Sequence, residues 1–263
     1  VVEVTFAQLQ GWLVAFFWPF VRITAFMTAT PLWGHSSIPN QAKVALAAVI
    51  AVVIAPVLPP MPSVPLMSWA GLGIIIEQML IGIAIGLVMH IMFAVVQAAG
   101  EFIGLQMGLA FASFFDMSSG TNIMVLSRIL YMVTLLMFLA FNGHLMVLET
   151  LVMSFETLPI GIGSLNPNAF ELLARYAGTI FASGMLLALP LVASLLIINL
   201  SLGILNRSAP QLTVFNIGFP TSLTVGIVLL MVLMSDIGSF LQQLFSQGIS
   251  FTQSLIETMA PLN

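Results

Sequence analysis

Cysteine is absent from this chain of 263 residues, and charge is nearly so, at 5% of the sequence. The first absence excludes disulfides and thiolate metal sites. The second excludes a water-soluble surface, because soluble domains carry about 25% charged residues. The basic inventory is Arg22, Lys43, Arg128, Arg175 and Arg207, against nine acidic residues, for a net charge of −4. Nucleic-acid binding needs clustered Lys and Arg, so that class is excluded too. Also missing are a basic n-region of a signal peptide, metal-ligand spacing, a phosphate-binding glycine loop and a nucleophile motif. Gly71 and Gly73 begin a GxG with no further fingerprint residue. No catalytic, cofactor or metal role is assigned to any residue.

What remains is apolar: 60% of residues are hydrophobic and the mean hydropathy is +1.16. A spanning helix needs about 20 mainly apolar residues. Runs of that kind lie at about 8–30, 42–58, 72–98, 123–153, 176–205 and 214–235. The ten-residue alternation of a membrane β-barrel is missing. The fold class is therefore an all-α membrane protein of about six long apolar runs forming hairpins, some with broken helices. A proline-rich connector (Pro56, Pro59, Pro60, Pro62, Pro65) and a turn-rich one (Leu158 to Asn168) separate the runs. Lys43, Arg128 and Arg207 flank odd connectors and only Arg175 an even one, which by the positive-inside rule puts both termini outside.

Four features carry information beyond hydropathy. In Ala98–Ser119, Gly100, Gly104 and Gly108 form a small-residue ladder, accompanied by Gln97, Glu101 and Gln106 and followed by Phe111, Phe114, Phe115 and Asp116. An earlier pair, Gly82 and Gly86, has the same spacing. Such ladders let a second backbone approach closely. The segment reads either as a helix–helix seam followed by a packed loop, or as a flexible plug in a conduit. Asn206–Pro220 interrupts two apolar runs with Arg207, Pro210, Gln211, Asn216, Gly218 and Pro220, either an exposed loop or a buried inter-helix turn. Arg22, Glu77, His90, His144, Glu149 and Asp236 are isolated ionisable residues inside or at the edges of runs. Their scatter suits structural pairing better than a proton relay. Ile237–Met259 reads as an amphipathic helix with a neutral Gln/Ser face, fit for a wet lumen, a partner or a plain terminal helix.

Together the stretches VTFAQLQGWLVAFFWPFVRI, PLWGHSSIPNQAKVAL, EQMLIGIAIG, AGEFIGLQMGLAFASFFD and NRSAPQLTVFNIGFPTSLTVGI resemble the FliR family of flagellar biosynthetic proteins nearly end to end. The resemblance implies one subunit of a type III protein export gate in the bacterial inner membrane, at the flagellar basal body. Such a subunit assembles with FliP-like and FliQ-like subunits and further FlhB-type and FlhA-type proteins. The gate passes unfolded flagellar subunits and is needed to build the flagellum, with part of the complex raised to the periplasmic side. It also implies a single membrane domain, about 1–205 FliP-like and 206–263 a FliQ-like hairpin. Gly104–Asp116 is implied to be the plug loop. The alternatives are the equivalent injectisome subunit and a small-solute secondary transporter. The latter calls for an inverted repeat with a polar midplane cluster; Gly184 and Pro190 could break the fifth run, but no matching half precedes them.

Overall fold

A computed structural model of the chain describes residues 5–59, 61–62, 64–109, 125–161, 163, 165–208 and 217–261, and every regular element among them is helical. The helices are α1 (Phe6–Ala29), α2 (Asn40–Ile54, extended by a 3-10 turn over Ala55–Val57), α3 (Trp69–Gln106), α4 (Val125–Ala140), α5 (Gly143–Thr157), α6 (Asn168–Tyr176), α7 (Thr179–Ser208) and α8 (Phe219–Met259). Five stretches are long and apolar enough to cross a membrane: Gln8–Ala29, Asn40–Val57, Trp69–Gln106, Asn168–Ser208 and Phe219–Met259. A sixth would be the pair α4 and α5, bent by 69°. The protein is an all-α, multi-pass membrane protein.

Local chemistry explains where the helices start and stop. A capping box opens α1: Thr5 Oγ1 accepts from the Gln8 amide, and the Gln8 side chain accepts from the Thr5 amide at 3.0 Å. Pro56 turns the end of α2 into the proline-rich connector, and the described residues from Leu58 to Ser68 are non-helical, as the sequence predicts. The run at 123–153 is two helices rather than one, because Asn142 takes a left-handed conformation (φ 57°) that a continuing helix cannot accept. The sequence also treats 214–235 and Ile237–Met259 as separate pieces. They form one helix of 41 residues, since the change from apolar to Gln/Ser at Asp236 alters the surface but supplies no backbone break.

The chain resolves into two compact units: Val1–Ile91 with Asn142–Ala177 and Ser246–Asn263, and Met92–Phe141 with Gly178–Phe245. In the first unit, α1 lies against the first half of α3. Gly82 and Gly86 make this approach possible: a Cβ on Gly82 would sit 2.9 Å from the Phe26 amide nitrogen, and one on Gly86 3.0 Å from the Phe26 carbonyl. Val14, Trp18 and Ile74 form a buried cluster covered by Met61, Val64, Leu66 and Ile160. In the second unit, Phe93, Phe138 and Phe245 meet at centroid separations of 5.0–6.2 Å. Gly184 of α7 rests on Val95, Ala98 and Ala99 of α3.

Candidate functional site

The glycine ladder of the sequence divides into two jobs. Gly100 is a seam residue: a Cβ there would lie 2.6 Å from Ser127 Cα, so α3 and α4 touch backbone to backbone, and Ser127 Oγ donates to the Gln97 carbonyl at 3.0 Å. Gly108 ends the helix. Its φ is 82°, its amide donates to the Leu105 carbonyl at 3.1 Å, and the Leu109 amide donates to the Gly104 carbonyl at 2.9 Å. These two bonds with a left-handed glycine form a Schellman motif, which satisfies carbonyls that helix termination would orphan. Gly104 and Gln106 thus belong to the last turn of α3, and the chain leaves the helix at Leu109. Phe111, Phe114, Phe115 and Asp116 lie outside the described residues.

At the second predicted site, Arg207 is exposed in the last turn of α7, where a cation complements the helix dipole. Gly218 is buried and Pro220 is exposed in the opening turn of α8, where a missing amide hydrogen costs nothing. Pro210, Gln211 and Asn216 lie outside the described residues. The two helices flanking this segment are joined laterally by Ser222 Oγ donating to Asn199 Oδ1 at 2.8 Å.

Among the isolated ionisable residues, Arg22 has an environment that the sequence gives no hint of. It is fully buried on α1. Its Nε donates to Gln78 Oε1 at 2.7 Å, Nη1 to the Ser154 carbonyl at 2.9 Å and to Ser154 Oγ at 3.0 Å, and Nη2 to the Leu158 carbonyl at 2.8 Å. The guanidinium also lies 4.1 Å from the centroid of the Phe155 ring. No carboxylate pairs with it among the described residues, where Arg175–Glu171 is the one salt bridge. The end of α5 compensates instead, because terminal helix carbonyls carry a partial negative charge. Arg22 therefore ties α1, α3 and the end of α5 together, which is the structural pairing the sequence favours for such residues. Nearby, the Glu77 side chain accepts from the Gly163 amide and lines a cavity of about 220 Å³ with Gln78, Ile81, Leu158 and Pro261.

The other ionisable residues stand apart. His90, Glu149 and Asp236 are exposed, and His144 is half-buried. No group of His, Asp and Glu among the described residues could hold a metal ion. On the C-terminal half of α8, Gln242, Gln243, Ser246, Gln247, Ser250, Gln253 and Ser254 are exposed, while Leu241, Leu244, Phe245, Leu255 and Ile256 are buried. The amphipathic pattern read from sequence is thus realised in space, with its Gln/Ser face outward and Glu257 exposed near its end.

Comparison with known proteins matches residues 13–248 to the family of bacterial export proteins, family 1. The flagellar biosynthetic protein FliR of Escherichia coli (strain K12) is 47% identical over 258 residues, covering 98% of each chain. That of Pectobacterium carotovorum subsp. carotovorum is 48% identical over 240 residues, 91% of this chain and 92% of the relative. That of Bacillus subtilis (strain 168) is 31% identical over 247 residues, 92% and 94% respectively. With its long apolar helices and a match that runs nearly end to end, the chain belongs to the bacterial export proteins of family 1, and within them to the FliR flagellar biosynthetic proteins.

Proposed function

We propose that this chain, a membrane subunit of flagellar type III protein export, helps to form and to plug the conduit through which unfolded flagellar subunits leave the cell. The observation that carries the export role is its likeness to FliR proteins along almost its whole length. The plug rests on a second observation: α3 is stopped by the left-handed Gly108 immediately before the segment that holds Phe111, Phe114 and Phe115. The stop ends the direction of α3 at Leu109, before those rings. Three phenylalanines within five residues bring the bulk that occludes a path, and Gly104 with Gly108 brings the backbone freedom to move it.

The chain takes its place among FliP-like and FliQ-like subunits, with FlhB-type and FlhA-type proteins nearby, in the inner membrane at the basal body and partly on its periplasmic side. In this arrangement residues 1–205 form the FliP-like portion and 206–263 the FliQ-like portion, whose one long helix α8 makes its hairpin with α7 rather than within 206–263. The segment with Arg207, Pro210, Gln211, Asn216, Gly218 and Pro220 is a turn packed at a subunit junction. We assign the chain no catalytic step; binding and shape are its contribution. Gentle extraction from membranes tests the placement. A gate subunit emerges with FliP-like and FliQ-like chains in fixed excess over it. Recovery of the chain alone, or as a symmetric oligomer of itself, refutes the reading and points to a transporter.

A further inference from the structure

The second unit contains a groove of about 470 Å³ between α7 and α8, lined by Leu187, Pro190 and Ser194 on one side and by Leu233, Asp236 and Phe240 on the other. Its walls are mostly apolar, yet a carboxylate stands in it. Asp236 and Glu257 are the only charged residues of α8, and Arg207, at the far end of α7, is the only one of that helix. Asp236 makes no ion pair among the described residues. Pro190 also lines the groove, and as a proline inside α7 it supplies no amide hydrogen to the carbonyl four residues before it. Ser194 offers no spare donor, since its hydroxyl already donates to the Pro190 carbonyl at 2.7 Å.

The groove is therefore an apolar slot with one carboxylate, neutral polar groups at Ser239 and Gln243, and no cation of its own. Its floor is buried at Leu187, Leu191 and Ile237, but its rim is uncovered, with Leu186, Pro190, Val232 and Asp236 exposed. Ionisable groups within membrane-spanning segments pair with one another or with polar groups of neighbouring helices. A phospholipid answers the apolar walls but sets its phosphate against the carboxylate, whereas a cationic side chain on an apolar helix satisfies both.

We propose that this groove docks a membrane helix of another subunit of the export assembly, and that the helix presents a lysine or arginine to Asp236. The proposal rests on the reading of the chain as one subunit of a larger assembly. The absence of native cysteine permits a direct test in full-length chains expressed in flagellated cells. Single cysteines at Ser194→Cys and Ser239→Cys, paired with cysteines scanned along the helices of FliP-like and FliQ-like subunits, are treated with a short bismaleimide. Cross-links should concentrate within one helical turn of a cationic residue in one partner helix. Asp236→Lys should insert in the membrane at normal levels but lower co-recovery of that partner at least tenfold, and exchange of the partner's cation for an acid should restore it. Cross-linking to no subunit, with both cysteines labelled by a lipid-soluble maleimide, means that lipid fills the groove and overturns the proposal. So does normal assembly and export by Asp236→Lys. If instead the wild-type chain is recovered without other subunits, the assembly reading itself fails, a result distinct from failure of the groove alone. If Asp236→Lys is not inserted, the cysteine pairs decide.

Discussion

Replacing Arg22 by Met removes a buried cation while keeping a long apolar side chain in its place. Arg22 donates four hydrogen bonds, all between 2.7 and 3.0 Å, to partners that are 56 to 136 residues distant in sequence. Bonds to a charged group are worth about 1.5–3 kcal/mol each, but their sum overstates the loss, because the substitution also relieves the cost of burying the charge. What remains is the buried Gln78 side chain and the Leu158 carbonyl without this donor, at about 1–3 kcal/mol each, so a net loss of about 3 kcal/mol is expected here. Arg22→Lys should lose about 1–3 kcal/mol, because an ammonium cannot reach Gln78, Ser154 and Leu158 at once and abandons the Phe155 face. Gln78→Leu leaves the Nε hydrogen of Arg22 unpaired, so the double variant Arg22→Met/Gln78→Leu should lose less than the two singles together, by about 1–3 kcal/mol. SDS titration of the detergent-solubilised chain, followed by tryptophan fluorescence, measures these differences. Trp18 is fully buried one helical turn from Arg22 and half-buried Trp33 packs on Phe26, so both report on this unit, whereas Trp12 and Trp69 are exposed and contribute a background. Arg22→Met as stable as the wild type, or a strictly additive double variant, would refute the claim that the guanidinium holds these three segments together.

Three further substitutions probe separate points. Gly100→Val would press a side chain onto Ser127 Cα at 2.6 Å, backbone that cannot rotate aside, and should cost about 1–3 kcal/mol in the same titration. Its control is Gly203→Ala, where nothing lies within 4 Å of the new carbon and helix propensity predicts a gain of up to about 1 kcal/mol. Gly108→Ala forces a side chain into a left-handed conformation and should cost about 1–2 kcal/mol, seen as faster hydrogen exchange at the Gly108 and Leu109 amides. Deletion of Phe111–Phe115 should leave the complex intact and make the membrane leak ions or small molecules; normal recovery with unchanged conductance would refute the plug.

Helix positions were legible in the sequence because spanning lipid demands length and apolarity, and both can be counted. The close approaches at Gly82, Gly86 and Gly100 were legible too, since small residues at four-residue spacing have few other uses in a membrane helix. The 69° bend was within reach, as Asn142–Gly143 is a turn signal inside an apolar run. Continuity of α8 was harder to see. A change of surface at Asp236 resembled a boundary, although no proline lies between Pro220 and Pro261 to impose one. The surroundings of Arg22 had no local signal at all. Its partners are brought to it by tertiary packing, so a lone arginine in an apolar run looks the same whether it anchors a fold or lines a path.

Span counting also hides how long the helices are. At 1.5 Å per residue, the 38 residues of α3 extend about 57 Å and the 41 of α8 about 62 Å. The hydrocarbon core is about 30 Å thick. Fitting either helix wholly within it would need a tilt of about 60°, well beyond the usual range of 0–40°. A stretch of each helix therefore lies beyond the hydrocarbon, however apolar the sequence. On α8 the surface marks the transition. Ile227, Val228, Met231 and Val232 are exposed and suit lipid, whereas from Gln242 onward the exposed face is Gln and Ser with Glu257 near its end. That second face carries no basic residue, so it is unsuited to anionic lipid headgroups and suits water or a neighbouring subunit. Asp236 stands where the two faces meet. An uncompensated carboxylate at that level is tolerable in the lone chain and best satisfied in an assembly, so the groove, and not the span count, is where the fold asks for a partner.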